Sequence, residues 1–106
     1  MTAASRLFAI LALFATVGTS QASTDTVAAG RDKYVQCASC HGSDGRSTVM
    51  GNYPKIGGQN LEYLESALRA YRDGRRQGSY AALMIAVAKQ LSDQDIADLA
   101  AYVQSL

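Results

Sequence analysis

The chain has little of what most metal and catalytic centres are built from: 106 residues hold one histidine, two cysteines and one proline. Three possible nitrogen or sulfur ligands are too few for a structural zinc centre, which usually takes four. A single histidine rules out two imidazoles of this chain on one metal. Strand-like alternation and internal repeats are lacking, and no apolar run reaches the ~20 residues that a membrane span needs. Neither sign of charge dominates, with ten Lys and Arg against nine Asp and Glu. That balance offers no footing for nucleic acid or a membrane surface.

What is present is concentrated. Cys37-Ala38-Ser39-Cys40-His41 contains both cysteines and the histidine. C-x-x-C-H is the attachment signature of a c-type haem. Two thiols add across the vinyl groups of one porphyrin edge and the imidazole binds iron from one face. On a helical turn, positions i, i+3 and i+4 share a side, so all three groups address the same ring. A thioredoxin-like redox pair would want a βαβ setting, and a disulfide between these cysteines would leave His41 without a task. The expected cofactor is therefore one covalently attached haem c per chain, with Cys37 and Cys40 as thioether sites and His41 as an iron ligand.

The first residues have the three parts of a secretory signal peptide. Arg6 is the only charge before Asp25, an apolar stretch follows over 7–17, and Ser20 and Ala22 occupy the −3 and −1 positions of a cleavage site. Cleavage after Ala22 is predicted, so 1–22 is a leader and 23–106 a single domain, exported to an oxidising, periplasm-like space. That domain is formally neutral, with nine charges of each sign. A domain so small has a marginal core and usually needs a staple, which a covalently held haem supplies.

The pattern predicts an all-α fold of three to four short helices and long loops around the haem. A first helix is expected over 26–40, capped by Thr24 or Asp25. Gly30 lies inside it, where glycine costs ~1 kcal/mol against alanine; close approach of another helix would justify that. Residues 42–59 carry Pro54 and show no periodicity, as expected of a loop that wraps a haem edge. Asn60 should cap a helix to about Asp73 with Leu61, Leu64, Leu68 and Tyr71 on one stripe, and Gly74 should end it. A short apolar helix or turn is expected over 79–90. Ser92 and Asp95 then open the last helix like a shortened capping box, with Ile96, Leu99, Ala100 and Val103 on its buried face. Asp93, Asp95 and Asp98 read as acids favoured at a helix N-terminus. Arg69, Arg72, Arg75 and Arg76 form a cluster that suits either a docking face or a clamp on haem propionates.

Over residues 26–105 the chain resembles a small bacterial class I cytochrome c, most of all one half of the dihaem cytochrome c4 type and its single-haem relatives. The matching residues are Gly30 and Tyr34 before Cys37-x-x-Cys40-His41-Gly42, then 53–59, 71–76, Met84, and 91–102 with Leu91, Ser92, Asp95, Ile96, Leu99 and Tyr102. Only one such unit is present, which excludes electron transfer between two haems of the chain. The resemblance implies that the first and last helices cross near Gly30, Tyr34, Leu99 and Tyr102, and that the Pro54 carbonyl accepts a hydrogen bond from His41 Nδ1, the kind of contact that orients a ligand.

The sixth iron ligand decides the chemistry. Met50 lies nine residues from His41 and Met84 lies 43; the segment ahead of Met84 is long enough to pass around the porphyrin. The resemblance places the axial sulfur at Met84. A thioether opposite imidazole favours ferrous iron and fills both axial positions, leaving no place for substrate. The expectation is a non-enzymatic, periplasmic one-electron carrier of a respiratory chain, monomeric or a subunit of a redox complex, without a transmembrane anchor once mature. Its partners would be redox proteins: an oxidase, reductase or dehydrogenase. The alternative is a dedicated cytochrome subunit of a periplasmic dehydrogenase, for example one oxidising a sulfur compound. A five-coordinate haem that binds gases or peroxide is the remaining reading.

Overall fold

The computed structural model describes residues 9–16 and 23–106. The charged start of the predicted leader and the predicted cleavage site at Ala22 lie outside the described residues, and 9–16 forms no regular element. Five helices follow: α1 (Thr24–Lys33), α2 (Val35–His41), α3 (Leu61–Arg72), α4 (Ala81–Ala88) and α5 (Asp93–Ser105). The fold is all-α, and among the described residues no helix is long and apolar enough to cross a membrane.

One expected helix is two. The continuous stretch predicted over 26–40 breaks at Tyr34, which raises the count to five. The break has a tertiary cause, since Tyr34 is 3% exposed, its hydroxyl donates to the Gly42 carbonyl at 2.7 Å, and its ring meets that of Tyr102 at 5.2 Å. The Tyr34 carbonyl then accepts from both Cys37 and Ala38 N–H, at 2.8 and 2.9 Å, which starts α2. The cap of α1 is Ser23, whose Oγ accepts from Thr26 N–H at 3.2 Å.

Helices α1 and α5 cross where Gly30 permits. A Cβ at Gly30 would fall inside the Asp98 carbonyl and 2.7 Å from Cβ of Tyr102, so no side chain fits without parting the helices. Lys33 closes the crossing, its Nζ donating to Asp98 at 2.6 Å and lying 2.8 Å from Asp95. These carboxylates raise the pKa of Lys33. In return Lys33 holds Asp98 below the usual carboxylate range, and Lys33 with the Ser92 N–H brings Asp95 to about 2. The sequence reading is thus corrected for Asp98, which serves the helix crossing rather than the helix N-terminus; Asp95 does form the predicted capping box with Ser92.

The core is Tyr34, Leu64, Ala88, Leu91, Ile96, Leu99, Ala100 and Val103, which includes the whole predicted face of α5. Asn60 caps α3 by accepting from Tyr63 N–H at 3.0 Å, and Gly74, at φ +71°, follows its end. The 42–59 loop is fastened at several points. Asp44 accepts from Ser47 N–H, Arg46 N–H and the Ser47 hydroxyl, which brings its pKa to about 2. Gly45 carbonyl takes the N–H of Ile56 and Gly57, and Gly58 N–H donates to Val103 of α5 at 2.9 Å.

Candidate functional site

A cavity of about 420 Å³ opens between α2, the 42–59 loop, α3, α4 and α5. That volume lies within the range of cofactor pockets. Its floor is the inner face of α5, with Leu99, Ala100 and Val103; Leu64 and Leu68 of α3 and Val87 of α4 form apolar walls.

Helix α2 presents Cys37, Cys40 and His41 to this space. His41 is 7% exposed, and its Nδ1 lies 2.8 Å from the Pro54 carbonyl. A carbonyl oxygen only accepts, so Nδ1 carries the proton and Nε2 keeps its lone pair for a metal. The two cysteines are half-buried and unbridged. Burial, then the neighbouring Cys40, pushes the Cys37 thiol up to about 11. Among the described residues no group of three or more His, Cys, Asp and Glu side chains is gathered to hold a bare metal ion. The three residues line a wall, as a plate-shaped group requires, and do not enclose a point.

The two methionines part company. Met84 of α4 lines the cavity, whereas Met50 is half exposed and is not among the lining residues. Three of the four clustered arginines are engaged with carboxylates: Arg69 with Glu65 at 3.3 Å, Arg72 with Asp93 at 2.7 Å, and Arg75 with Asp73 at 3.2 Å. Arg76 instead sits over the ring of Tyr71, 4.5 Å from its centroid, and both line the cavity. Tyr53 and Tyr80, both lining the cavity, meet edge to face at 6.1 Å. Sequence reasoning missed Lys55, Tyr53 and Tyr80 as cavity residues; the run Tyr53-Pro54-Lys55 pointed to the first two only through its proline, and nothing nearby in the sequence pointed to Tyr80.

The family model described as Cytochrome c matches residues 27–106. The chain belongs to the cytochrome c family. Cytochrome c-554(548) of Halomonas halodenitrificans is 54% identical over 78 residues, covering 74% of this chain and 93% of that protein. Cytochrome c4 of Pseudomonas aeruginosa is 38% identical over 99 residues, covering 93% of this chain but 47% of its own length. The crystal structure of reduced recombinant cytochrome c4 from Pseudomonas stutzeri superposes with a TM-score of 0.71 at 29% identity, over 84% of this chain and 52% of that one. A thiosulfate dehydrogenase electron acceptor of Thiomonas intermedia is 34% identical over 79 residues, covering 74% of this chain and 35% of that protein. The chain thus spans nearly all of a single-domain relative and about half the length of the cytochromes c4.

As a cytochrome c the chain carries one covalently attached haem c, with which Cys37 and Cys40 of the C-x-x-C-H signature are consistent. The residues present fit that group: an apolar cavity, two thiols on one wall and an imidazole in the ligating tautomer. When bound, haem c takes up and releases one electron at its iron. The protein is an electron-transfer protein and not an enzyme, as its relatives are.

Proposed function

We propose that the mature chain, residues 23–106 after loss of a leader at 1–22, is a periplasmic one-electron carrier. Its haem is joined through Cys37 and Cys40, with the iron between His41 and Met84. One observation carries the ligand assignment: His41, oriented by Pro54, and Met84 line the same cavity, while Met50 stands half exposed away from it. The roles of the chain's residues follow. Pro54 fixes the imidazole, which raises its basicity toward iron and limits its movement when the charge on the metal changes. Met84 supplies a neutral thioether that favours the ferrous state. The apolar walls would limit water around a bound haem, which would keep the reorganisation accompanying electron transfer small.

Paired variants of the holoprotein test this reading. Met84→Ala should remove the weak far-red absorption of methionine-ligated ferric haem, lower the reduction potential and let carbon monoxide bind the ferrous protein. Met50→Ala should leave all three near their starting values. The opposite pattern would transfer the ligand role to Met50. Retention of the far-red band in both variants would remove methionine ligation by either residue.

A second reading, service as the cytochrome subunit of a periplasmic dehydrogenase for a sulfur compound, is favoured by the similarity to a thiosulfate dehydrogenase electron acceptor. Purification from the native periplasm separates the two: a monomer supports the shuttle, and co-purification with a flavin or molybdenum subunit supports the second.

A further inference from the structure

The charges around the cavity are of one sign. Lys55 and Arg76 line it, and no aspartate or glutamate does among the described residues. Of the other cations among the described residues, Lys33, Arg69, Arg72 and Arg75 each have a carboxylate within 3.5 Å, and Arg31, Arg46 and Lys89, which have none, do not line the cavity. Lys55 and Arg76 have none among the described residues. Arg76 is also placed, its guanidinium held over Tyr71, which limits the conformations lost when it takes a partner. Two cations on a mostly apolar cavity without a carboxylate suit a doubly anionic occupant, and guanidinium suits a carboxylate. A haem provides two propionates.

We propose that Arg76 and Lys55 are the anchors of the two haem carboxylates, and that Arg69, Arg72 and Arg75 are not. The inference rests on the cavity being the seat of the haem, and it divides the arginine cluster that the sequence presents as a unit. A propionate beside the porphyrin favours ferric iron by its negative charge. A cation on that propionate offsets the effect and raises the reduction potential, so the two residues tune the iron without touching it.

The test compares holoproteins carrying Arg76→Gln, Arg76→Lys, Lys55→Gln and Arg75→Gln. Midpoint potentials are measured against pH by optical redox titration, and the propionate bending modes by resonance Raman spectroscopy. Arg76→Gln should lower the potential by a tenfold shift in the ferric–ferrous equilibrium, 59 mV for one electron, with Lys55→Gln moving it in the same direction. In both, the potential should fall as pH rises through the pKa of the released propionate, and one propionate mode should shift. Arg76→Lys should recover most of the potential, and Arg75→Gln should match the starting protein. Potentials of Arg76→Gln and Arg75→Gln that move equally, or propionate modes unchanged in Arg76→Gln and Lys55→Gln, would overturn the proposal. The far-red band of the unsubstituted holoprotein reports separately on the axial methionine, so failure of the ligand assignment and failure of the carboxylate anchors are read from different signals.

Discussion

Toward α1, helix α5 meets another piece of the same chain: Gly30 admits its backbone, Tyr102 receives the ring of Tyr34, and Asp98 takes Lys33. Toward α2, α3 and α4 the same helix presents Leu99, Ala100 and Val103 to the cavity. One side is complete as polypeptide; the other is completed by the cofactor. Small domains cannot bury enough surface alone, and here the shortfall falls on one side of one helix.

The strongest way to break the contrast is to remove the cofactor. Cys37→Ala or Cys40→Ala should greatly reduce haem-stained protein on a denaturing gel, and precursor blocked from export should carry no covalent haem. Without the haem the apolar side chains that line the cavity of about 420 Å³ are left facing water, and a domain this small has little stability in reserve. Apoprotein should therefore be largely unfolded by circular dichroism, with any residual hydrogen-exchange protection in α1 and α5. A compact, cooperatively melting apoprotein would refute this.

Next in size is an attack on the completed side. Gly30→Ala places a methyl inside the Asp98 carbonyl, and overpacking of this kind costs ~3 kcal/mol or more. Thermal melting of the holoprotein should fall by roughly 12–24 °C, with the haem spectrum of the surviving folded fraction unchanged.

The Lys33–Asp98 contact gives a pH dependence whose sign is fixed. Asp98 is depressed below 3.8 when folded, so its contribution is present above that value and is lost as pH falls through the folded pKa. Lys33 is raised above 10.5, so its contribution is full below that value and is lost as pH rises through the folded pKa. The contribution of this pair should be flat between these limits. Asp98→Asn should lower the plateau and flatten the acid limb only partly, because Asp44 and Asp95, each at about 2, share that limb. An acid limb unchanged in Asp98→Asn would count against the pairing. The smallest effect belongs to the half-buried i,i+4 pair Arg69–Glu65: Arg69→Gln should shift stability by no more than ~0.5 kcal/mol in chemical denaturation.

Much of this was legible in the residue string, for local reasons. Ser92 with Asp95, Asn60, Gly74 and the α5 face announce themselves through neighbours three or four residues away. The C-x-x-C-H pentapeptide names the cofactor by chemistry alone. The break at Tyr34 was not legible, because neither proline nor glycine marks it and its cause is a ring on another helix and a carbonyl eight residues ahead. Asp98 was misread for the same reason, its partner lying 65 positions away. The arginine cluster looked uniform because sequence shows adjacency, whereas the structure separates Arg76 by what each guanidinium faces.

The loop fastened to α5 has a consequence for the iron. Pro54, which holds His41, belongs to a segment tied through Ile56 and Gly57 to Gly45, and through Gly58 to Val103; Arg46 reaches the Leu106 carbonyl at 3.0 Å. The last turn of the final helix is therefore mechanically in series with the imidazole. Disturbance at residues 103–106, far along the chain from position 41, should be felt as a change in how firmly the metal is gripped.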